Sequence, residues 1–185
     1  MNNYYNSLKD KNLLVGICGS LSILSLPSYL LTFKQYFKNV NVTMTYSAKK
    51  IFQEKTISYL VDNIYSDEFI ANKNHVQIAR ENDIIIVFPA TANILGLAAN
   101  GIASNFLSSI LIAFKHKVIF FPNMNLQMWE NPFLQKNVEK LKDGGHFVYT
   151  PETRMSFELA SQSFSNNIVL PSIDVVLNTI RNVHT

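Results

Sequence analysis

The chain has 185 residues, of which 48% are hydrophobic and 16% charged, and its formal net charge is +3. This length suits one domain that buries about 70% of its unfolded surface, and the scattered Lys and Arg residues form no basic stripe for nucleic acid. The single cysteine, Cys18, excludes an internal disulfide and fits a reducing cytoplasm. Without a signal-like or membrane-length apolar run, we expect a soluble cytoplasmic protein with no membrane association.

Strand-like apolar runs alternate with helical patterns along the chain. The predicted strands are residues 13–18, 40–45, 84–88, 117–121 and 146–149. The predicted helices are residues 26–37, 57–65, 75–81, 106–114, 132–141 and 173–180. Pro89 is expected to stop the central strand, and Asn74 and Asn131 to cap the helices that follow them. The alternation predicts an α/β fold, a Rossmann-like (flavodoxin-like) doubly wound parallel sheet in a single domain spanning 1–185.

Three strand-to-helix turns carry hydroxyls and free backbone N–H groups. They are Gly19-Ser20, Thr45-Tyr46-Ser47 and Pro89-Ala90-Thr91-Ala92-Asn93. An anion is stabilised at such turns by unpaired donors and by the helix dipole. Turns that meet at the carboxyl edge of a sheet therefore suit a phosphate, although ordinary capping explains any one of them alone. The spacing of Gly16 and Gly19 does not match the dinucleotide fingerprint.

A further segment, residues 122–129, follows the apolar strand at 118–121 and contains two Met, a Trp and two Asn. Ligands bind outside the carboxyl ends of strands in open α/β sheets, so we interpret this segment as a pocket lining. A loop that plugs the core, with Met as filler, is the alternative interpretation.

The four histidines and single cysteine offer no metal-ligand spacing, so no metal site is predicted. His75 is the candidate base because it lies at a predicted helix start behind Asn74, where the helix dipole disfavours the imidazolium. A surface histidine in a polar loop is the simpler reading of His75 alone. Cys18 lies within an apolar strand and is interpreted as buried packing rather than a nucleophile.

Three motifs resemble those of the homo-oligomeric flavin-containing Cys decarboxylases, and most closely those of the lantibiotic peptidyl-cysteine decarboxylases. Residues 122–129 match the P-x-M-N-x-x-M-W signature at every fixed position. Residues 89–94 resemble the P-A-S-A-N-T flavin motif, with Thr91 for Ser and Ile94 for Thr. Asn74-His75 matches the segment that holds the active-site histidine of the family. The resemblance extends from Leu13 to about Leu177.

The resemblance implies FMN, or FAD in some members, bound between subunits of a homotrimer, with four trimers often forming a homododecamer. It implies a catalytic base, His75, and a substrate-gripping amide, Asn125. The implied cofactor-binding residues are Gly19, Ser20, Thr45, Ser47, Pro89, Ala90, Thr91, Asn93 and Met128. The implied substrate-binding residues are Asn123, Met124, Asn125, Phe157 and Leu159, the last two in a mobile clamp at about 149–163. A disordered surface loop is the alternative reading of that clamp.

The implied reaction is oxidative decarboxylation of the C-terminal cysteine of a precursor peptide. The cysteine would be oxidised to a thioaldehyde, from which CO2 leaves and an enethiolate remains. The nearest alternative is phosphopantothenoylcysteine decarboxylase, which uses a further cysteine near its clamp, whereas residues 144–163 contain none. A second alternative, a non-catalytic flavoprotein regulatory subunit, is disfavoured because both His75 and Asn125 are present.

Overall fold

A computed structural model describes residues 3–66, 74–158 and 162–184. Their central feature is one parallel sheet built from short strands. These strands are Asn12–Ile17 (β1), Asn39–Met44 (β2), Asn63–Tyr65 (β3), Ile84–Ala90 (β4), Val118–Pro122 (β5) and Phe147–Val148 (β6). Their spatial order is β3-β2-β1-β4-β5-β6, so the direction of strand addition reverses between β1 and β4. This is the doubly wound Rossmann order, which confirms the predicted fold class.

Helices cover both faces of the sheet. They are Leu26–Tyr36 (α1), Tyr46–Ile51 (α2), Glu54–Ser58 (α3), His75–Glu81 (α4), Ala92–Ala99 (α5), Phe106–Ala113 (α6), Leu126–Trp129 (α7), Pro132–Asp143 (α8) and Ile173–His184 (α9). Short 3-10 helices span Asn3–Leu8 and Leu21–Ser25. None of the helices in the described part of the chain is long and apolar enough to span a membrane.

The alternation of side chains along β1 divides the core into two layers. Leu13, Val15 and Ile17 point to the layer that contains α1 and α9, whereas Leu14 and Cys18 belong to the layer that contains α4, α5, α6 and α8. A parallel strand covered on both faces is expected to be apolar at every position; β4 is, and β1 is from Leu13 to Ile17. The two-sided cover leaves the ends of the strands as the accessible edges of the sheet.

The predicted helix at residues 57–65 is wrong. Helix α3 ends at Ser58, and the chain returns to the sheet as β3. Asp62 directs this return, because its backbone N–H donates to the Val40 carbonyl oxygen (2.8 Å) and its carboxylate accepts the Val40 N–H (2.8 Å). These bonds place Asn63 opposite Asn41 in parallel register.

The predicted stop at Pro89 is also wrong, since β4 continues through Pro89 to Ala90. The Phe88–Pro89 peptide bond is cis, and the register with β5 shifts between Val87 and Ala90. Proline is tolerated here because a residue at a register shift does not need its N–H for the ladder. The following stretch of small residues forms α5, the helix that the strand-to-helix turn at 89–93 implies but for which no bounds were predicted.

The predicted clamp at about 149–163 overlaps an antiparallel hairpin of Thr153–Glu158 (β7) and Ser163–Ile168 (β8), and most of β8 lies beyond the predicted bounds. Thr153 pairs with Ile168 at its base. The backbone of Phe157 lies in β7, opposite Phe164, and Leu159 lies outside the described residues. The other predicted strands and helices are found within a few residues of their expected bounds.

Candidate active site

Four strand ends are tied together at the carboxyl edge of the sheet. The Thr45 N–H donates to the Ile17 carbonyl oxygen (2.9 Å) and the Cys18 N–H to the Pro89 carbonyl oxygen (3.3 Å). The Asn123 N–H donates to the Ala90 carbonyl oxygen (2.9 Å). These bonds extend the ladder beyond the strands, so the turns after β1, β2, β4 and β5 lie side by side.

A cavity of about 540 Å³ opens among these turns, at the point where the strand order reverses. This is the position at which doubly wound sheets bind ligands, and the volume lies within the usual range for a small-molecule site. The residues that line the cavity are Cys18, Gly19, Ser20, Thr45, Tyr46, Ser47, Thr91, Ala92, Asn93, Ile94, Asn105, Asn123, Met124 and Met128.

The three predicted anion turns begin helices, as expected. Thr45 caps α2 by accepting the Ala48 N–H, and Thr91 occupies the N-cap position of α5. Ser20 caps the 3-10 helix Leu21–Ser25 by accepting the Ser22 N–H at 3.4 Å. Thr45 and Thr91 therefore place the amino-terminal ends of α2 and α5 at the cavity, whereas the Ser20 N–H already donates to the Cys18 carbonyl oxygen (2.9 Å).

Gly19 allows the first two turns to approach each other. A Cβ atom on Gly19 would lie 2.5 Å from the Ser47 Cβ and 3.0 Å from the Ser47 carbonyl carbon. Such distances require the backbone to move, so a side chain at Gly19 would push apart the turns after β1 and β2. The absence of a Cβ shapes this part of the cavity.

Asn123 joins the cavity wall to neighbouring segments. Its Oδ1 accepts hydrogen bonds from the Ser20 and Ser22 hydroxyls, the latter at 2.9 Å. Its Nδ2 donates to the carbonyl oxygen of Ile168 at the end of β8 (2.8 Å). Asn123 is 6% exposed, so these bonds are largely shielded from water.

Cys18 lies in the wall of the cavity but is only 1% exposed. Burial raises the pKa of its thiol to about 12, although hydrogen bonds with Thr91 lower it in part. The group is therefore a neutral thiol at physiological pH, as expected for packing rather than for nucleophilic attack.

Several predicted site residues are not among the described residues that line the cavity. Pro89 and Ala90 end β4 and hold the ladder beneath it. Asn125 caps α7 by accepting the Met128 N–H (2.8 Å). His75 is exposed at the first position of α4, whose start is closed by a capping box between Asn74 and Gln77.

The cavity also contains residues that were not predicted as site residues. Tyr46 lies between Thr45 and Ser47, and Ile94 is one of the two positions, with Thr91, at which residues 89–94 differ from the flavin motif. Asn105 caps α6 and accepts the Ser108 N–H (2.9 Å). An Asn directly before an apolar helix is a recognisable cap, and that signal could have located Asn105.

The sequence profile of the family described as Flavoprotein matches residues 1–182. The chain belongs to this family. Mersacidin decarboxylase of Bacillus sp. (strain HIL-Y85/54728) is 44% identical over 94% of this chain and 90% of its own length. Epidermin decarboxylase of Staphylococcus epidermidis is 36% identical over 92% of this chain and 94% of its own length.

Two solved structures of decarboxylases are also similar to this chain in fold and sequence. An EpiD variant complexed with the substrate peptide DSYTC has a TM-score of 0.88, with 35% identity over 94% of this chain and 99% of its own. The FMN-dependent cysteine decarboxylase TvaF has a TM-score of 0.72 and 30% identity over 76% of this chain and 90% of its own.

The coenzyme A biosynthesis bifunctional protein CoaBC of Bacillus subtilis (strain 168) is a further sequence relative. It is 32% identical, over 78% of this chain and 37% of its own length.

Proposed function

We propose that this chain is a flavin-dependent oxidative decarboxylase of the C-terminal cysteine of a lantibiotic precursor peptide. The similarity to the mersacidin and epidermin decarboxylases, over 94% and 92% of the chain, carries this proposal. The coenzyme A relative is less similar and matches less of the chain, so the peptide substrate is preferred. The product would be a C-terminal aminoenethiol, the precursor of S-aminovinyl-cysteine.

FMN is the flavin that we assign, in line with the FMN-dependent structural relative. The cavity fits such a group because it combines three donor-bearing turns with an apolar wall. Gly19, Ser20 and Ser47, with Thr45 nearby, would hold the phosphate. Thr91 and Asn93 would bind the flavin from the turn after β4, which Pro89 and Ala90 support, and Met128 would form the wall.

A bound flavin supplies the two-electron oxidation of the substrate cysteine. The chain itself would bind the peptide terminus, hold it in position and accept a proton. Asn125 would grip the terminal cysteine, beside Asn123 and Met124 in the cavity wall. His75 would accept the proton that the cysteine releases. The β7–β8 hairpin, with Phe157 and the adjoining Leu159, would cover the peptide as a mobile clamp.

Cysteine oxidation prepares the loss of CO2. The C=S group formed at Cβ lies beta to the carboxylate and accepts the electron pair of the breaking Cα–carboxylate bond. An enethiolate then remains on the peptide. The thiol of the substrate has to be reduced before it reacts, so we place the reaction in the cytoplasm.

The assembly that we propose is a homotrimer, or a dodecamer of four trimers. His75 is exposed and lies outside the cavity lining of its own chain, so a site between copies would give it a role. Exposed apolar side chains such as Ile102 and Ile112, 48% and 49% exposed, offer surface for such contacts.

Mass spectrometry of a short peptide that ends in cysteine, incubated with the purified protein in air, tests the proposal. We expect the peptide to lose one CO2 and two hydrogens. The control peptide ends in serine and should remain unchanged, because it has no thiol to oxidise. Turnover of phosphopantothenoylcysteine with no change in the cysteine peptide would contradict the proposal.

A further inference from the structure

The side chain of Asn123 is fully engaged on its acceptor side. Amide oxygen has two lone pairs, and the Ser20 and Ser22 hydroxyls use both. The orientation of the amide follows from the network, because the Ile168 carbonyl oxygen requires a donor and only Nδ2 can supply one. Asn123 therefore lines the cavity without a free acceptor for a ligand.

The same side chain bridges two parts of the fold that are distant in sequence. Ser20 and Ser22 lie in the segment that follows β1, which we call the serine turn. Ser20 lines the cavity, and Ser22 lies next to it in the 3-10 helix Leu21–Ser25. Ile168 ends β8 at the base of the hairpin, where it pairs with Thr153 and is 3% exposed. The Asn123 backbone is itself fixed to β4 through the Ala90 carbonyl oxygen.

We propose that Asn123 is a positioning residue that fixes the base of the β7–β8 hairpin to the serine turn of the cavity. The inference rests on the proposed function in one respect, namely that the hairpin covers the peptide. Asn123 would then act on the substrate through the hairpin, in addition to any direct contact made by its second Nδ2 hydrogen.

The position of the Ile168 carbonyl group sets where the hairpin begins. The next residue, Val169, donates its N–H to the Glu152 carbonyl oxygen (3.2 Å), so both strands are joined at this level. An amide held on one side by two hydroxyls has little freedom to shift. The bond from Asn123 Nδ2 to the Ile168 carbonyl oxygen therefore fixes the first residue pair of the hairpin, Thr153 and Ile168, relative to the serine turn.

Hydrogen–deuterium exchange of the full chain, as purified and with added FMN, tests the proposal. In Asn123→Ala, we expect amide exchange in residues 153–158 and 163–168 to rise about tenfold, the effect of losing one buried hydrogen bond on a local opening equilibrium. Asn123→Asp is the second variant. It keeps the acceptors for both serines but places a carboxylate oxygen against the Ile168 carbonyl oxygen, and exchange should rise by at least as much.

Asn82→Ala is the matched control. Asn82 is 3% exposed, donates to the Ile78 carbonyl oxygen (2.8 Å) and accepts from Asn41 (2.8 Å), but lies at the other end of β4. Its loss should lower the thermal midpoint and leave hairpin exchange unchanged. Equal hairpin exchange in wild type and Asn123→Ala, or an equal rise in Asn82→Ala, would overturn the proposal.

A double-mutant cycle tests the link to the serine turn. Ser22→Ala removes one of the hydroxyls that hold Asn123, so hairpin exchange should rise by a smaller factor than in Asn123→Ala. Ser22→Ala with Asn123→Ala should exchange no faster than Asn123→Ala alone, because the serine acts through the amide. Fully additive effects of the two substitutions on hairpin exchange would show that Ser22 does not act through Asn123, and the serine turn would then have no part in the proposal.

These measurements are separate from turnover. They need no peptide, so a failed decarboxylation assay would leave the exchange result standing. Where the enzyme is active, Asn123→Asp should raise the KM for the peptide more than it lowers kcat, because the hairpin positions substrate. A change in kcat alone would contradict this role.

Discussion

His75 has a well-defined backbone position but an exposed side chain. Asn74 Oδ1 accepts the Val76 and Gln77 N–H groups, each at 3.0 Å, and the Gln77 side chain accepts the Asn74 N–H (2.9 Å). A residue at the first position of such a helix is held firmly at its backbone while its ring reaches outwards. This geometry suits a base that serves a site beyond the lining of its own cavity.

His75→Asn should abolish turnover while the flavin remains bound. Asparagine is similar in size but cannot accept a proton, so we expect turnover to fall at least about 100-fold, the usual contribution of a general base. The flavin absorption spectrum and peptide mass spectrometry measure the two properties separately. Retained turnover would remove His75 from the role of base.

Asn125 requires a test that separates two roles, because it also caps α7. Asn125→Ala loses both the amide and the cap, whereas Asn125→Ser keeps a capping oxygen. We expect both variants to keep the flavin and to lose peptide turnover about tenfold or more, because the bound peptide would lose a hydrogen-bond partner. Normal turnover in Asn125→Ser would assign Asn125 to capping alone.

Gly19→Ala should weaken FMN binding. The new Cβ would press on the Ser47 backbone and separate the two turns, and we expect affinity to fall about tenfold, or about 1.4 kcal/mol. Gly96→Ala is the control, since a Cβ there would meet only the Asn137 Nδ2 at 3.6 Å. Titration with FMN, followed by flavin fluorescence, compares them. Equal affinity in Gly19→Ala would place the phosphate elsewhere.

At the scale of elements, the start of β5 depends on a neutral imidazole. The Val118 N–H donates to His146 Nδ1 (3.2 Å), a bond that protonation of this nitrogen would break. Burial lowers the pKa of His146. Burial, together with the charges of His116, Lys117 and Lys11, lowers the pKa of His184 at the end of α9 to about 4.

We therefore expect the free energy of unfolding to decrease as the pH falls below 6.5. The unfolded chain then binds protons at both histidines before the folded chain does. Hydrogen bonds with Lys34 and Val40 lower the pKa of Asp62 against the effect of burial, so its contribution is lost only below about 3.8. Denaturant unfolding at pH 7.5 and 5 measures the change, which should shrink in His146→Gln and His184→Gln.

The sequence predicts elements well where the apolar pattern decides their structure. The continuous runs of β1, β4 and β5 identify buried parallel strands, and Asn74 and Asn131 identify helix starts. β3 was missed because its pairing depends on Asp62 and Val40, which are distant in sequence and which no local pattern connects. The prediction that Pro89 ends β4 was wrong because proline is tolerated in this strand at a register shift with β5, which the local sequence does not reveal.

The same distinction holds for the site. Hydroxyl and glycine turns after strands are visible in the sequence, and the cavity brings Gly19, Ser47 and Thr91 together as expected. The Ser22–Asn123–Ile168 connection was not predicted. It joins residues that are 101 and 45 positions apart through side-chain bonds, which a single sequence does not specify.

At the scale of the whole molecule, mixed assemblies test whether the site is shared. At an FMN concentration between the dissociation constants of the two variants, most subunits with Gly19→Ala should lack flavin but keep His75. Most subunits with His75→Asn should keep flavin but lack the base. If His75 serves a neighbouring cavity, co-refolding the two inactive variants should restore up to roughly a quarter of wild-type turnover. Native mass spectrometry would verify a mixed trimer. An inactive mixed trimer would show that His75 serves the cavity of its own chain.

The buried state of Cys18 has a chemical consequence for an enzyme that oxidises cysteine. The thiol is the only one in the chain, it lies in the cavity wall, and burial keeps it protonated. A protonated thiol reacts slowly with peroxide and with disulfides. A substrate thiol and an oxidant bound in this cavity would therefore form neither a mixed disulfide nor a sulfenic acid at Cys18, and the protein would not inactivate itself during repeated cycles.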